Sequence, residues 1–298
     1  MKNPIEYYDK PRKQNNRDKF YFGLRKIHIY IEDSGKKFGY KLLFEKLGME
    51  DFECFDISDG KRGVINHYLK IENEIKSNSE VRYIFLLDKD FDDKCIHHNN
   101  KRLEGHSFEE LKKHKNFVIW KKYCIENYLS ALDLVIKTVE ILCCKEINKK
   151  EYKNKYLDLR LKVLDLTKFY YFSSYFDLNL EYNINRYFSK EELILKDEEK
   201  NKIEEKLFNG FLSKKDTYEE YKNKNYDEVF KKLSKVLDAK YDIHGKEFLK
   251  GIIMLNKNFL KKDWKESYSL DIFTVQLINN IDQCKEICEE IRNELKVM

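Results

Sequence analysis

Val81–Leu87 (VRYIFLL), followed at once by Asp88–Asp93 (DKDFDD), decides the fold. A short run of β-branched, aromatic and leucine residues with no polar alternation is the pattern of a strand buried on both faces, as parallel sheets require. Working outward, Lys26–Glu32 (KIHIYIE) is a second such strand, and Phe52–Ile57 and Phe117–Trp120 are two more. Between them, Lys36–Gly48 and Val64–Ile75 carry helical apolar spacing, and Ser107–Glu110 (SFEE) fits a capping box that opens a helix. The spacing predicts a long helix from about Asn127 to Cys144. Strand and helix alternate, and right-handed crossovers turn that order into an α/β fold with a mostly parallel sheet flanked by helices.

Beyond this region the pattern changes. Glu198–Phe208, Tyr226–Leu237, Lys246–Asn256 and Phe273–Leu295 have helical spacing with dense Lys and Glu. The expected organisation is an N-terminal arm (1–24), an α/β domain (25–145) and a mainly α-helical C-terminal domain (146–298) for dimerisation or partner docking. Tyr170–Phe176 (YYFSSYF) is a dense aromatic cluster. It reads as core or dimer interface, with a base-stacking platform as the alternative.

Composition excludes several classes. The 298 residues, 42% hydrophobic and 14% aromatic, suffice for a sizeable core. With 37% charged residues and no long apolar run, a membrane span is not expected. The first twenty residues lack an apolar signal region, so a cytoplasmic location is expected. Seven cysteines, none in a Cys-x-x-Cys pair, read as small buried hydrophobes and not as a zinc site. The net charge of +5 is too small to name a partner by itself.

The placement of charge says more. Glu32 ends the first strand, and Asp88 and Asp90 follow the third. In a parallel sheet both sets emerge at one edge, where ligands of open α/β sheets bind. Three carboxylates there suit a hard cation such as Mg²⁺. Lys36, Lys37, Lys61 and Arg62 fall after strands one and two; Lys112, Lys113, Lys115, Lys121 and Lys122 bracket the fourth. As a group they suit the backbone of a nucleic acid. His97 and His98 read as loop residues and Ser34 as a helix N-cap; Gly35–Lys37 lacks the spacing of a Walker loop.

A Glu after strand one and an Asp-x-Asp after strand three resemble the toprim signature shared by topoisomerases, primases and overcoming-lysogenization-defect nucleases. The segment Tyr123–Leu129 (YCIENYL) after the acidic run narrows the resemblance to a toprim-related nuclease family. Its members neighbour ABC-type ATPases in phage-defence islands and include the nuclease subunit of the PARIS anti-phage system. Ile243–Leu249 (IHGKEFL) is similar to a stretch late in that family. The resemblance covers residues 26–130 best. It implies a metal-dependent nuclease cleaving DNA or RNA such as tRNA, with Mg²⁺ or Mn²⁺ on Glu32, Asp88 and Asp90, and Glu126 as a further catalytic acid. It also implies an ABC-type ATPase partner and a homodimer. The chain departs from the family at Asp33, where a Gly is common, and at Lys36, where an Asp is common. That departure motivates the alternative of a non-catalytic toprim-like module that binds a partner ATPase or nucleic acid.

Overall fold

The computed structural model describes residues 27–32, 37–94, 103, 105–180, 196–265 and 267–296. The arm (1–24), Asp33, Ser34, Lys36, His97 and His98 lie outside these residues. Strands β1 (Ile27–Glu32), β2 (Phe52–Ile57), β3 (Arg82–Leu87) and β4 (Phe117–Ile119) form one sheet. Its order is β2-β1-β3-β4, and every neighbouring pair is parallel. Helices α1 (Lys37–Lys46), α2 (Gly60–Ser77) and α3 (Phe108–Lys113) make the crossovers. The expected α/β core with a parallel sheet is thus present.

Side chains alternate across a strand, so each face of the sheet needs its own cover. Ile29, Ile31, Cys54, Ile84 and Leu86 point into one apolar cluster with α1. Tyr30, Phe85 and Leu87 point into the other, against Val64, Ile65 and Tyr68 of α2 and against Phe117. Tyr30 stacks on Phe85 at 4.9 Å and on Phe55 at 5.1 Å. The box at Ser107 forms as expected: its hydroxyl accepts from the Glu110 N–H, and the Glu110 carboxylate accepts from the Ser107 N–H at 2.7 Å.

After β4 the chain is helical: α4 (Glu126–Leu129, one turn), α5 (Leu132–Cys143), α6 (Lys149–Tyr175), α7 (Asp197–Lys214), α8 (Tyr226–Ser234), α9 (Gly245–Leu260), α10 (Leu270–Asn279) and α11 (Lys285–Lys296). Two expected helices are each divided. Asn127–Cys144 breaks after α4, where the Ser130 carbonyl accepts from the Tyr156 hydroxyl at 2.5 Å. Phe273–Leu295 is interrupted by a 3₁₀ turn at Ile281–Gln283, whose Ile281 carbonyl accepts from the Cys288 thiol. Tyr170, Tyr171, Phe172, Tyr175 and Phe176 are buried, so the aromatic cluster is core. Phe172 meets Tyr226 and Phe176 edge-on or tilted at 4.9 Å.

The apolar cluster on the α1 side runs without interruption from the sheet into α6, α9, α10 and α11. The join is tight at the start of α9. Asn127 donates through Nδ2 to the Ile243 carbonyl at 2.8 Å, and the Tyr123 N–H donates to the Tyr241 carbonyl at 2.7 Å. A Cβ on Gly245 would stand 2.6 Å from both Asn127 Oδ1 and Cys124 Sγ, so only glycine allows this approach. Gly245→Ala is therefore expected to lower unfolding stability by roughly 1–3 kcal/mol. Urea denaturation of the full chain checks this, and an unchanged midpoint would show that α9 does not depend on the close fit.

Candidate functional site

The carboxyl edge of the sheet holds a cavity of about 320 Å³ lined by Glu32, Asp59, Gly60, Lys61, Arg62, Asp88, Asp90 and Lys246. Glu32 arrives as the last residue of β1, and Asp88 as the first after β3. Parallel pairing of β1 with β3 brings both chain ends to one edge. Asp90 is placed by a turn and not by the strand itself. The strand has ended at Leu87, and Asp90 adopts a left-handed φ of 49° while its N–H donates to the Tyr123 carbonyl at 2.9 Å. Aspartate enters that region more readily than most residues, and Asp59, which also lines the cavity, does so with φ 69°.

Cations are interleaved with these acids. Lys61, on the first turn of α2, is 6% exposed, and its Nζ lies 2.5 Å from both Asp90 Oδ2 and Asp92 Oδ2. Arg62 follows it on the same turn, and Lys246 enters from the first turn of α9. Behind the cavity, Asp242 accepts from Lys89 at 2.6 Å and from Lys94 at 3.1 Å. Burial alone would raise the Asp242 pKa. The N–H of Asp238 and the two ammonium groups reverse that and hold it below the ordinary carboxylate value.

The remaining residues expected from the sequence are distributed as follows. Glu126 is buried at the start of α4 and lines a neighbouring cavity, not this one. Lys37 pairs with Glu53 at 3.0 Å on the β2 side. Lys122 is buried, pairs with Glu290 of α11 at 2.9 Å and sits 4.2 Å over the Tyr128 ring. The Lys121 N–H donates to Glu294, which also accepts from the Tyr128 hydroxyl at 2.5 Å. Of the basic residues expected around the acids, Lys61 and Arg62 reach the cavity. Asp59, Asp92 and Lys246 are participants that sequence reasoning did not single out. Only the resemblance of Ile243–Leu249 pointed toward Lys246.

His244 sits behind the site as the N-cap of α9, where its Nδ1 accepts from the Glu247 N–H at 3.4 Å. Tyr123 and Tyr170 pack against the ring at 5.0 and 5.5 Å. Burial pushes its pKa down to about 4 against the opposing pull of Glu247, Asp90 and Glu126. A neutral ring is what the cap needs, because an imidazolium has no acceptor nitrogen.

The donor set is all carboxylate oxygen, the kind a hard divalent cation takes. Among the described residues, no group of three or more His, Cys, Asp and Glu is arranged to hold a metal by itself. An ion there would have one or two carboxylate ligands, with water or phosphate completing its shell. No helix among the described residues is long and apolar enough to cross a membrane. Set against known proteins, the chain matches no family model, and no curated protein sequence matches it.

The His244 shift gives a pH dependence with a definite sign. Its folded pKa, about 4, lies below the ~6.5 of an unfolded histidine, so the unfolded chain binds the extra proton between those values. Stability is full above about pH 6.5 and falls by about 3 kcal/mol as pH drops toward 4. Asp242, with its pKa already lowered, acts in a more acidic window. Urea midpoints between pH 7.5 and 4.5 check this against His244→Asn, which keeps a capping oxygen and should flatten the slope. Parallel slopes would contradict the assignment.

Proposed function

We propose that the chain is a metal-dependent nuclease of toprim type, acting on phosphodiester bonds in DNA or RNA. One observation carries the reading: Glu32 from the end of β1 and Asp88 and Asp90 from the end of β3 line a single cavity with Lys61, Arg62 and Lys246. Carboxylates alone would repel a polyanion, and basic side chains alone would only bind one. Both together at a ligand-binding sheet edge suit a site that grips a phosphate and breaks a bond at it.

Glu32 and Asp88 would hold Mg²⁺ or Mn²⁺, which when bound neutralises charge on the phosphate oxygens. Arg62 and Lys246 bind the non-bridging oxygens and set the backbone against the acidic wall. Glu32 stands where it can also take a proton from the attacking water. Lys61 fixes Asp90 and Asp92 and keeps the turn after β3 in its left-handed form. The role as an anti-phage effector under an ABC-type ATPase, and as a homodimer, rests on the family resemblance of Tyr123–Leu129 and Ile243–Leu249.

The pairing of Asp90 with Lys61 favours a second reading, a non-catalytic toprim-like module, because an ammonium already neutralises one of the three acids. A cleavage assay separates the two. The full chain with Mg²⁺ or Mn²⁺ is expected to cut single- or double-stranded DNA or RNA, and Glu32→Ala and Asp88→Ala to slow it about 10²-fold or more. Equal rates in all three proteins would exclude the nuclease assignment of these carboxylates.

A further inference from the structure

Lys61 stands where a lysine is costly. It lies on the first turn of α2, at the electropositive end of the helix dipole, and that turn carries no acidic residue. It is also buried, where a charged side chain gives up its hydration. Two carboxylates from the turn after β3 offset both costs: Asp90 Oδ2 and Asp92 Oδ2 each lie 2.5 Å from its Nζ. Asp92 is buried as well, and Asp90 lines the acidic cavity together with Lys61.

The turn that delivers Lys61 is closely specified. Asp59 and Gly60 both take left-handed φ values, 69° and 56°. A Cβ at Gly63 would stand 1.7 Å from the Ser58 carbonyl oxygen, so only glycine lets the first turn of α2 close over Ser58. The ammonium is therefore placed by the backbone of α2 as well as by the charges it meets.

A compact positive charge between two carboxylate oxygens occupies the kind of position a divalent ion takes. In two-ion phosphodiester cleavage, one cation stabilises the attacking oxygen and another the leaving oxygen. We propose that Lys61 is the built-in second cation of the candidate site. The chain then holds one divalent ion, at Glu32 and Asp88, and takes none at Asp90 and Asp92. Asp90 becomes a positioning residue for the ammonium and not a metal ligand. A lysine cannot exchange with ions in solution, so the metal dependence of this site is that of a single ion. The proposal rests on the nuclease reading for the ion at Glu32 and Asp88, and it sets the number of ions that reading requires.

Counting Mn²⁺ bound to the full chain by equilibrium dialysis tests it, in salt that screens surface acids. The native chain should bind one ion. Lys61→Met removes the charge at similar length and should bind two, while its far-ultraviolet circular dichroism stays native. Adding Asp92→Asn to Lys61→Met should return the count to one, which assigns the gained ion to this pair and not to the surface. Two ions on the native chain, one on folded Lys61→Met, or two on the double variant would each overturn the proposal. The native count decides even if Lys61→Met does not fold. Failure here is distinct from failure of the nuclease reading. A native chain that binds two ions and cuts nucleic acid, with Glu32→Ala slowing the cut, removes the built-in cation alone; a chain that binds none removes both.

Discussion

Asp242 and Lys89 hold the site together. Their side chains are almost wholly buried, lie 2.6 Å apart, and come from segments 153 residues apart in the chain. Lys89 stands between the two aspartates that follow β3, and Asp242 stands just before α9. The pair therefore fixes the helical half against the acidic edge of the sheet. Asp242 also accepts from Lys94 at 3.1 Å, and Lys89 lies 3.6 Å from Asp93, so the pair is the centre of a small charge network at that edge. Just after Asp242, His244 caps α9, Gly245 passes against Cys124 and Asn127, and Lys246 enters the cavity.

The same edge is balanced in charge. Glu32, Asp59, Asp88 and Asp90 line the cavity with Lys61, Arg62 and Lys246. A formal charge of +5 over the whole chain conceals this alternation. A cation bound at the carboxylates would tip the local balance positive, toward a phosphate. The neighbouring apolar cavity shares Lys246 with it.

Much of this was legible in the sequence because it is local. Apolar runs at Ile27–Glu32 and Arg82–Leu87 announce buried parallel strands, and acids at their ends necessarily share an edge. The Ser107 box follows from residue identities three apart. What was not legible depends on distant partners. Nothing near Lys61 foretells that it is buried between Asp90 and Asp92, and nothing near Lys122 foretells its pairing with Glu290. The division of Asn127–Cys144 falls where Tyr156 donates to the Ser130 carbonyl, with no proline or glycine to mark it. Glu126 carries an acid's chemistry in any reading, but only the packing of α1, α4 and α10 assigns it to an apolar pocket.

The proposed nuclease requires Glu32 and Asp88, delivered by two strands, to act as one cation site. Titration of the full chain with Mn²⁺, read by loss of the free-ion electron paramagnetic resonance signal, tests that directly. The native chain should bind Mn²⁺, and Asp88→Asn should weaken binding about tenfold or more while its far-ultraviolet circular dichroism stays native. Mn²⁺ binding of equal strength in both proteins, or none in either, would contradict it.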